Sequence, residues 1–341
     1  MTRLLWAALL AAAAVLGCQL PLPSDGIGGT GQRLADGIGG TGQRLEDGIG
    51  GTGIVGTVTD FGSIWLSDVR VEFDETTTIE ANGQTRPADA LEIGQVVAVL
   101  SDKLDARYRA RRIAIVYEVI GAIATVDRSA NRLTVLNQSI TLGNAARVIR
   151  GDAAVSFADL TPGERVRVSG LRRADGSIVA SLIESTPPSP TVQLVGTLRD
   201  GMLSGMPVVL ASGLAGTTPA GRLRARGRLE NGRVHIDSVA LDDVAYTVAQ
   251  SSELLIEGFL VDGAFEGDIA VGGIDIVLPA HVELDASIDF DQPVFIEAEL
   301  GDDDLFYGNG LSVFPEDGGD YIDLFSDFDD FTDDEIDLFF E

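Results

Sequence analysis

The sequence predicts an all-β protein built from tandem small OB-like β-barrel modules. Three observations carry that prediction. From Ile54 onward, short apolar runs alternate with polar residues at period two, as half-buried strands do. Glycine is frequent, at 41 residues, and together with Asn and Asp it punctuates those runs where tight turns need positive φ. Long segments also recur: Ala90-Leu-Glu-Ile-Gly-Gln-Val-Val-Ala-Val99 matches Asp159-Leu-Thr-Pro-Gly-Glu-Arg-Val-Arg-Val168. Beyond the N-terminal leader, no segment shows an apolar period of 3.6.

Residues 1–17 form a leader. Arg3 supplies a positive start, and the apolar run Leu4–Leu16 is too short to span a bilayer, which takes about 20 residues. The run ends Val15-Leu16-Gly17-Cys18, which resembles a bacterial lipobox. The resemblance implies a lipoprotein signal peptide, with palmitate and further acyl chains on Cys18. Several chains matter, because a single one anchors only marginally. Gln19 stands where an Asp favours inner-membrane retention, so the expected address is the outer membrane of a Gram-negative cell envelope. Cys18 is the sole cysteine, which excludes an intramolecular disulfide.

Residues 18–53 read as a tether. Asp25-Gly-Ile-Gly-Gly-Thr-Gly31 recurs at Asp36–Gly42 and Asp47–Gly53, a period of eleven. These units offer almost no apolar surface to offset the entropy of ordering. Extended, the segment reaches about 100 Å; as a coil it reaches roughly 30–35 Å. Gly26, Gly28 and Gly31 match a dinucleotide-loop spacing, but that fingerprint must follow a strand and open a helix, and these copies do neither. Calcium-binding β-roll repeats have a period of nine, so that reading also fits poorly.

Four modules follow, expected at 54–118, 119–186, 192–245 and 254–300. In the first, Ser63–Leu66 should form a hairpin with Val69–Phe73. In the second, Arg132–Leu136 should pair with Ile140–Leu142. Pro162-Gly163 is a type II turn signal, and Gly94 occupies the same place in the first module. Asn231-Gly232 predicts a two-residue hairpin turn in the third module. The fourth keeps a strand near Ile274–Leu278 and another at Pro293–Glu297. Residues 301–341 read as an acidic, disordered tail: from Asp302 to the end there are 15 acidic residues and no basic one.

Gly48–Gly53, Gly56-Thr57-Val58, Leu91–Val99 and Leu160–Gly170 resemble a small bacterial all-β domain of unknown function. That domain is found in tandem in secreted proteins and lipoproteins, often behind a Gly-Ile-Gly-Gly-Thr-Gly lead. The resemblance implies barrels of five or six strands and carries over no activity.

Chemistry is sparse. His235 and His281 are the two histidines, and there is no Gly-x-Ser-x-Gly elbow and no Cys/His metal spacing. We therefore expect no enzyme activity, no metal and no cofactor. Net charge is −29, about half of it in the tail, which argues against a nucleic-acid partner. Two features remain as candidate sites. Arg222, Arg224, Arg226 and Arg228 stand at period two and project from one strand face, and Arg107, Arg109 and Arg111 repeat the pattern. Such a face is either simply solvated or a stripe for phosphate or carboxylate. In the tail, Phe328, Phe331, Phe339 and Phe340 stand among acids as candidate anchors for a protein partner, and the tail is itself a candidate to dock on the arginines. The expected function is a lipid-anchored, non-enzymatic structural or binding scaffold of the envelope. The alternative is a module that binds an anionic glycan or phosphorylated envelope component through its arginines.

Overall fold

The computed structural model describes residues 51–67, 69–104, 107–214, 216–262, 268–278, 291–313 and 322–323. Cys18, the tether up to residue 50, His281 and the tail residues Phe328, Phe331, Phe339 and Phe340 lie outside them.

The first barrel comprises β1 (Gly51–Asp60), β2 (Ile64–Leu66), β3 (Val69–Glu72), β4 (Thr78–Ala81), β5 (Gln84–Thr85), β6 (Val96–Leu104) and β7 (Arg107–Val116). The second holds β8 (Val119–Asp127), β9 (Arg132–Val135), β10 (Gln138–Arg150), β11 (Ala153–Ala154), β12 (Arg165–Arg172) and β13 (Ile178–Ser185). The third holds β14 (Thr191–Arg199), β15 (Met202–Leu203), β16 (Met206–Leu210), β17 (Arg222–Glu230) and β18 (Arg233–Leu241). After α1 (Asp243–Ala249) come β19 (Ser251–Asp262), β20 (Asp268–Val271), β21 (Ile274–Val277), β22 (Pro293–Leu300), β23 (Phe306–Val313) and β24 (Ile322–Asp323).

Each barrel closes through the same circuit of five strands. In the first, β1 pairs β2, β2 pairs β3, β3 pairs β7 in parallel, β7 pairs β6, and β6 returns to β1. The second runs β8-β9-β10-β13-β12, with β10 and β13 parallel. The third runs β14-β15-β16-β18-β17 and the fourth β19-β20-β21-β23-β22, each closed by one parallel pair. Closure removes open sheet edges. The last long hairpin of every barrel also carries a register shift, at Leu100/Ser101, Ser169/Gly170, Arg226/Gly227 and Glu297/Ala298. Such a bulge bends the strand, which a small barrel requires.

Local sequence explains the turns. Asn231 and Gly232 both adopt positive φ, 50° and 75°, between Glu230 and Arg233. Gly94 and Gly163 take nearly the same backbone, φ 91° and 89°, in matching loops of the first two barrels.

The barrels are joined two by two. β8 pairs β14, and one apolar cluster runs from Val119 and Ile183 to Leu194 and Ile236, so the second and third barrels share a core. β1 pairs β19 in parallel, and Val55, Val96 and Ala98 pack with Leu254, Ile256 and Ile296, joining the first barrel to the fourth.

Three expectations need correction. The tether was placed as far as residue 53, but Gly51–Gly53 open β1. These glycines serve close approach: a Cβ on Gly51 would come within 2.3 Å of the Arg111 Nη2, and one on Gly53 within 2.4 Å of the Ser251 Oγ. The acidic tail was placed from residue 301, but β23 closes the fourth barrel within that stretch. Asp302–Asp304 occupy the turn before β23, and Phe306 and Leu311 are buried. Finally, α1 is a helix where no helical period is legible. Seven residues are too few to show one, and the helix rests on its cap: the Asp242 side chain accepts from the Ala245 N–H at 2.7 Å.

Candidate functional site

β17 presents Arg222, Arg224 and Arg226 on one face, as period two requires, but that face is not solvated. It lies against the other barrels, where Arg222 and Arg224 bond carboxylates and Arg226 bonds neutral oxygens. Arg222 bonds Glu118, in the connection between the first two barrels, and Asp242, the cap of α1. Glu118 also accepts from Arg172 of β12, at 3.2 Å from Nε and 3.0 Å from Nη2. Arg224 bonds Asp243, whose other oxygen accepts from Arg112 of β7 at 2.7 Å. Arg112 continues to Glu80 at 3.0 Å and lies over the Tyr246 ring at 4.8 Å. Arg226 donates to Gln193 at 3.0 Å and to the Asn82 carbonyl of the first barrel at 2.9 Å.

These two runs, Arg172–Glu118–Arg222–Asp242 and Arg224–Asp243–Arg112–Glu80, meet at the adjacent Asp242 and Asp243 and link the first three barrels and α1. The centre is buried: the side chains of Glu118 and Asp242 are 3% and 1% exposed. Burial alone would push the Glu118 carboxyl up, yet the Arg222 and Arg172 charges outweigh it and hold Glu118 below the usual carboxylate range. For Arg222, burial opposes the charge, but Glu118 and Asp242 hold the guanidinium firmly protonated. A void of about 20 Å³ adjoins the cluster, lined in part by Glu118, Arg172, Arg222 and Glu257.

Glu257 is a different case. It is buried and bonded by the Thr57 N–H at 2.6 Å, the Thr57 hydroxyl at 3.2 Å and the Ser67 hydroxyl at 3.3 Å. Burial pushes its carboxyl up, and these hydrogen bonds only partly offset that.

The remaining candidate arginines stand outside the cluster. Arg107, Arg109 and Arg111 are exposed on β7; Arg111 pairs with Asp102 at 3.2 Å, and among the described residues no ion pair engages Arg107 or Arg109. Arg228 is exposed at the far end of β17, opposite the exposed His235 of β18. The solvated face expected on β17 is therefore not found for Arg222, Arg224 and Arg226, whereas Arg228, Arg107, Arg109 and Arg111 are exposed.

Sequence reading missed Glu118, Asp242 and Asp243. A signal existed for the first, since Glu118 interrupts the apolar stretch Ile113–Ile120 and an acid there needs a buried partner. Among the described residues, no group of three or more His, Cys, Asp or Glu is arranged to hold a metal ion.

Comparison with curated proteins finds no match. A family model does match, twice, at residues 52–114 and 120–184, which are the first and second barrels. The first and second barrels thus each match, in tandem, a domain of unknown function, DUF5666.

Proposed function

We propose that this is a lipid-anchored protein of the bacterial cell envelope, and that its folded part is a rigid, non-enzymatic binding scaffold. The interior charge cluster carries the scaffold reading. Acid–base catalysis needs titratable groups with access to a reactant, whereas Glu118, Asp242 and Asp243 are locked in ion pairs that tie barrel to barrel. The anchoring half of the reading rests on Val15-Leu16-Gly17-Cys18. Metabolic labelling with a palmitate analogue tests it. The wild-type chain should take up label and sediment with membranes, and Cys18→Ser should do neither. An unlabelled, membrane-free wild type would overturn the anchor.

A second reading has its own support. Arg107 and Arg109 are exposed, and among the described residues no ion pair engages them, which favours recognition of an anionic envelope component such as an acidic glycan.

A further inference from the structure

The four barrels act as controls for one another. In each, the second strand turns its middle or outer residue away from the core, and the barrel itself places little demand on that residue. In the second barrel it is Thr134, opposite Ser139; in the fourth it is Ala270, opposite Asp275. In the third it is Met202, opposite Pro207. In the first it is Trp65, opposite Arg70. Ile64 and Leu66 on either side of Trp65 are fully buried, whereas the indole is 36% exposed. Phe61, in the turn leading into β2, is 41% exposed.

The same outer face continues across the barrel. Glu72 of β3 is in register with Arg109 of β7. A shallow concavity is lined by Ser63, Arg70, Glu72, Asp74 and Arg109. Arg70 is oriented by its Nε bond to the Ser63 hydroxyl at 2.7 Å. The nearby carboxylates are partly occupied: Asp60 accepts the Phe61 N–H, and Asp74 accepts the Thr76 N–H and hydroxyl. Glu72 lies 3.7 Å from Arg70, a loose pair, and among the described residues only Ser63 and Glu72 engage that guanidinium. Neither Trp65 nor Arg70 is needed to build the barrel, since Thr and Ser, or Ala and Asp, fill the same register elsewhere.

We propose that the outer face of β2 and β3, with Trp65, Arg70 and Arg109, is a binding site for an acidic glycan; the proposal rests on the anion-recognition reading and assigns it a place and a ligand class. The indole supplies a flat platform for the C–H face of a sugar ring. The two guanidinium forks suit a ring carboxylate, and Glu72 and Ser63 accept from or donate to hydroxyls. The position agrees with the general use of OB-type barrels, whose second and third strands and first loop bind oligosaccharides and oligonucleotides. A glycan is favoured over a nucleic-acid strand because acids are interspersed with the arginines and the chain carries −29 overall.

Trp65 provides its own reporter, since the other tryptophan is Trp6 in the leader. In the full-length Trp6→Phe protein in detergent, tetragalacturonate should change Trp65 emission saturably, and chitotetraose should bind at least about tenfold more weakly. Arg70→Ala and Arg109→Ala should each weaken tetragalacturonate binding about tenfold; Arg228→Ala, on the third barrel, should not. Trp65→Thr, the residue of the second barrel, should abolish binding measured by calorimetry while the thermal melt stays intact. Equal binding of the neutral and acidic sugars overturns the proposal, as does no response to either, or preference for a thymidine decanucleotide. Salt-sensitive tetragalacturonate binding that survives Trp65→Thr overturns this site while leaving anion recognition elsewhere on the chain standing.

Discussion

Glu118→Gln removes one charge from the buried charge cluster and leaves the side chain's shape nearly unchanged. In the wild type Glu118 receives Arg172 through two nitrogens and Arg222 through one. Gln keeps one acceptor oxygen and gains an NH₂ facing guanidinium donors. Arg222 retains Asp242, but Arg172 is left with the Gln138 side chain and the Gly176 carbonyl, at 2.8 and 2.7 Å, and no carboxylate. Breaking a buried pair by removing one partner costs about 3–5 kcal/mol. With Asp242 still in place, the lower end applies, about 3 kcal/mol, or a fall in Tm of about 5 °C for barrels that melt as one unit. The control is Lys103→Gln. It also cuts a link between barrels, to Glu253 at 3.2 Å, but with side chains 48% and 34% exposed it should cost no more than about 1 kcal/mol. Urea denaturation of the Trp6→Phe background, followed by Trp65 emission and by far-UV circular dichroism, measures both. The first probe reports the first barrel and the second reports all four, and the two curves should coincide. Because the folded protein holds Glu118 below its ordinary range, the stability it contributes is present above that range and is lost as pH falls through its folded value. The gap between wild type and Glu118→Gln should therefore start to narrow as pH drops below about 4 and close only once pH has passed below the folded value of Glu118. A cost under about 1 kcal/mol at pH 7, or barrels that melt separately in the wild type, would refute the account of the cluster as the joint between barrels.

Other expectations follow from the same geometry. Gly227→Ala should destabilise by about 1–3 kcal/mol or more, since its Cβ would sit 1.9 Å from the His235 carbonyl oxygen at the bulge of the third barrel; Gly232, with nothing near it, should lose less and only through its φ of 75°. Chemical denaturation separates the two. Glu257→Gln has the opposite sign to Glu118→Gln. A folded carboxyl pushed upward favours the protonated form, so its penalty grows as pH rises past the ordinary carboxylate range. The variant should be more stable than wild type at pH 8 and indistinguishable at pH 4, as read from Tm. Asp243→Asn should uncouple the first barrel from the third, seen as faster amide exchange in β7 near Arg112 and in β17 near Arg224.

Much of the fold is legible because barrels of this size are built from local signals. The Asn231-Gly232 turn, the Gly94 and Gly163 pair, and the buried-exposed-buried pattern of Ile64-Trp65-Leu66 are each written in a few adjacent residues. The arginines of β17 show where such reasoning stops. Period two places Arg222, Arg224 and Arg226 on one face, but says nothing of what covers it. The cover comes from Glu118, a hundred residues earlier, and from Asp242 and Asp243, which follow the next strand. The same limit applies to Gly51–Gly53. Their composition is that of a tether, and only the approach of Ser251 and Arg111 gives them a place in a sheet. Charge averaged over a long segment hid β23, whose alternation spans just eight residues.

The parallel pairing of β1 with β19 has a consequence for how the molecule comes into being. The Thr57 N–H waits for a carboxylate 200 positions further along, and Gly51–Val55 wait for Ser251–Ile256. During synthesis the opening strand is made first and completed nearly last, after two other barrels have emerged. Throughout that interval one side of it offers unanswered amides and carbonyls to any passing strand, including the same segment of a neighbouring nascent chain. Contacts this distant in sequence are also slow to form. Keeping that flank apart from its own kind until β19 arrives is thus a demand this topology places on folding.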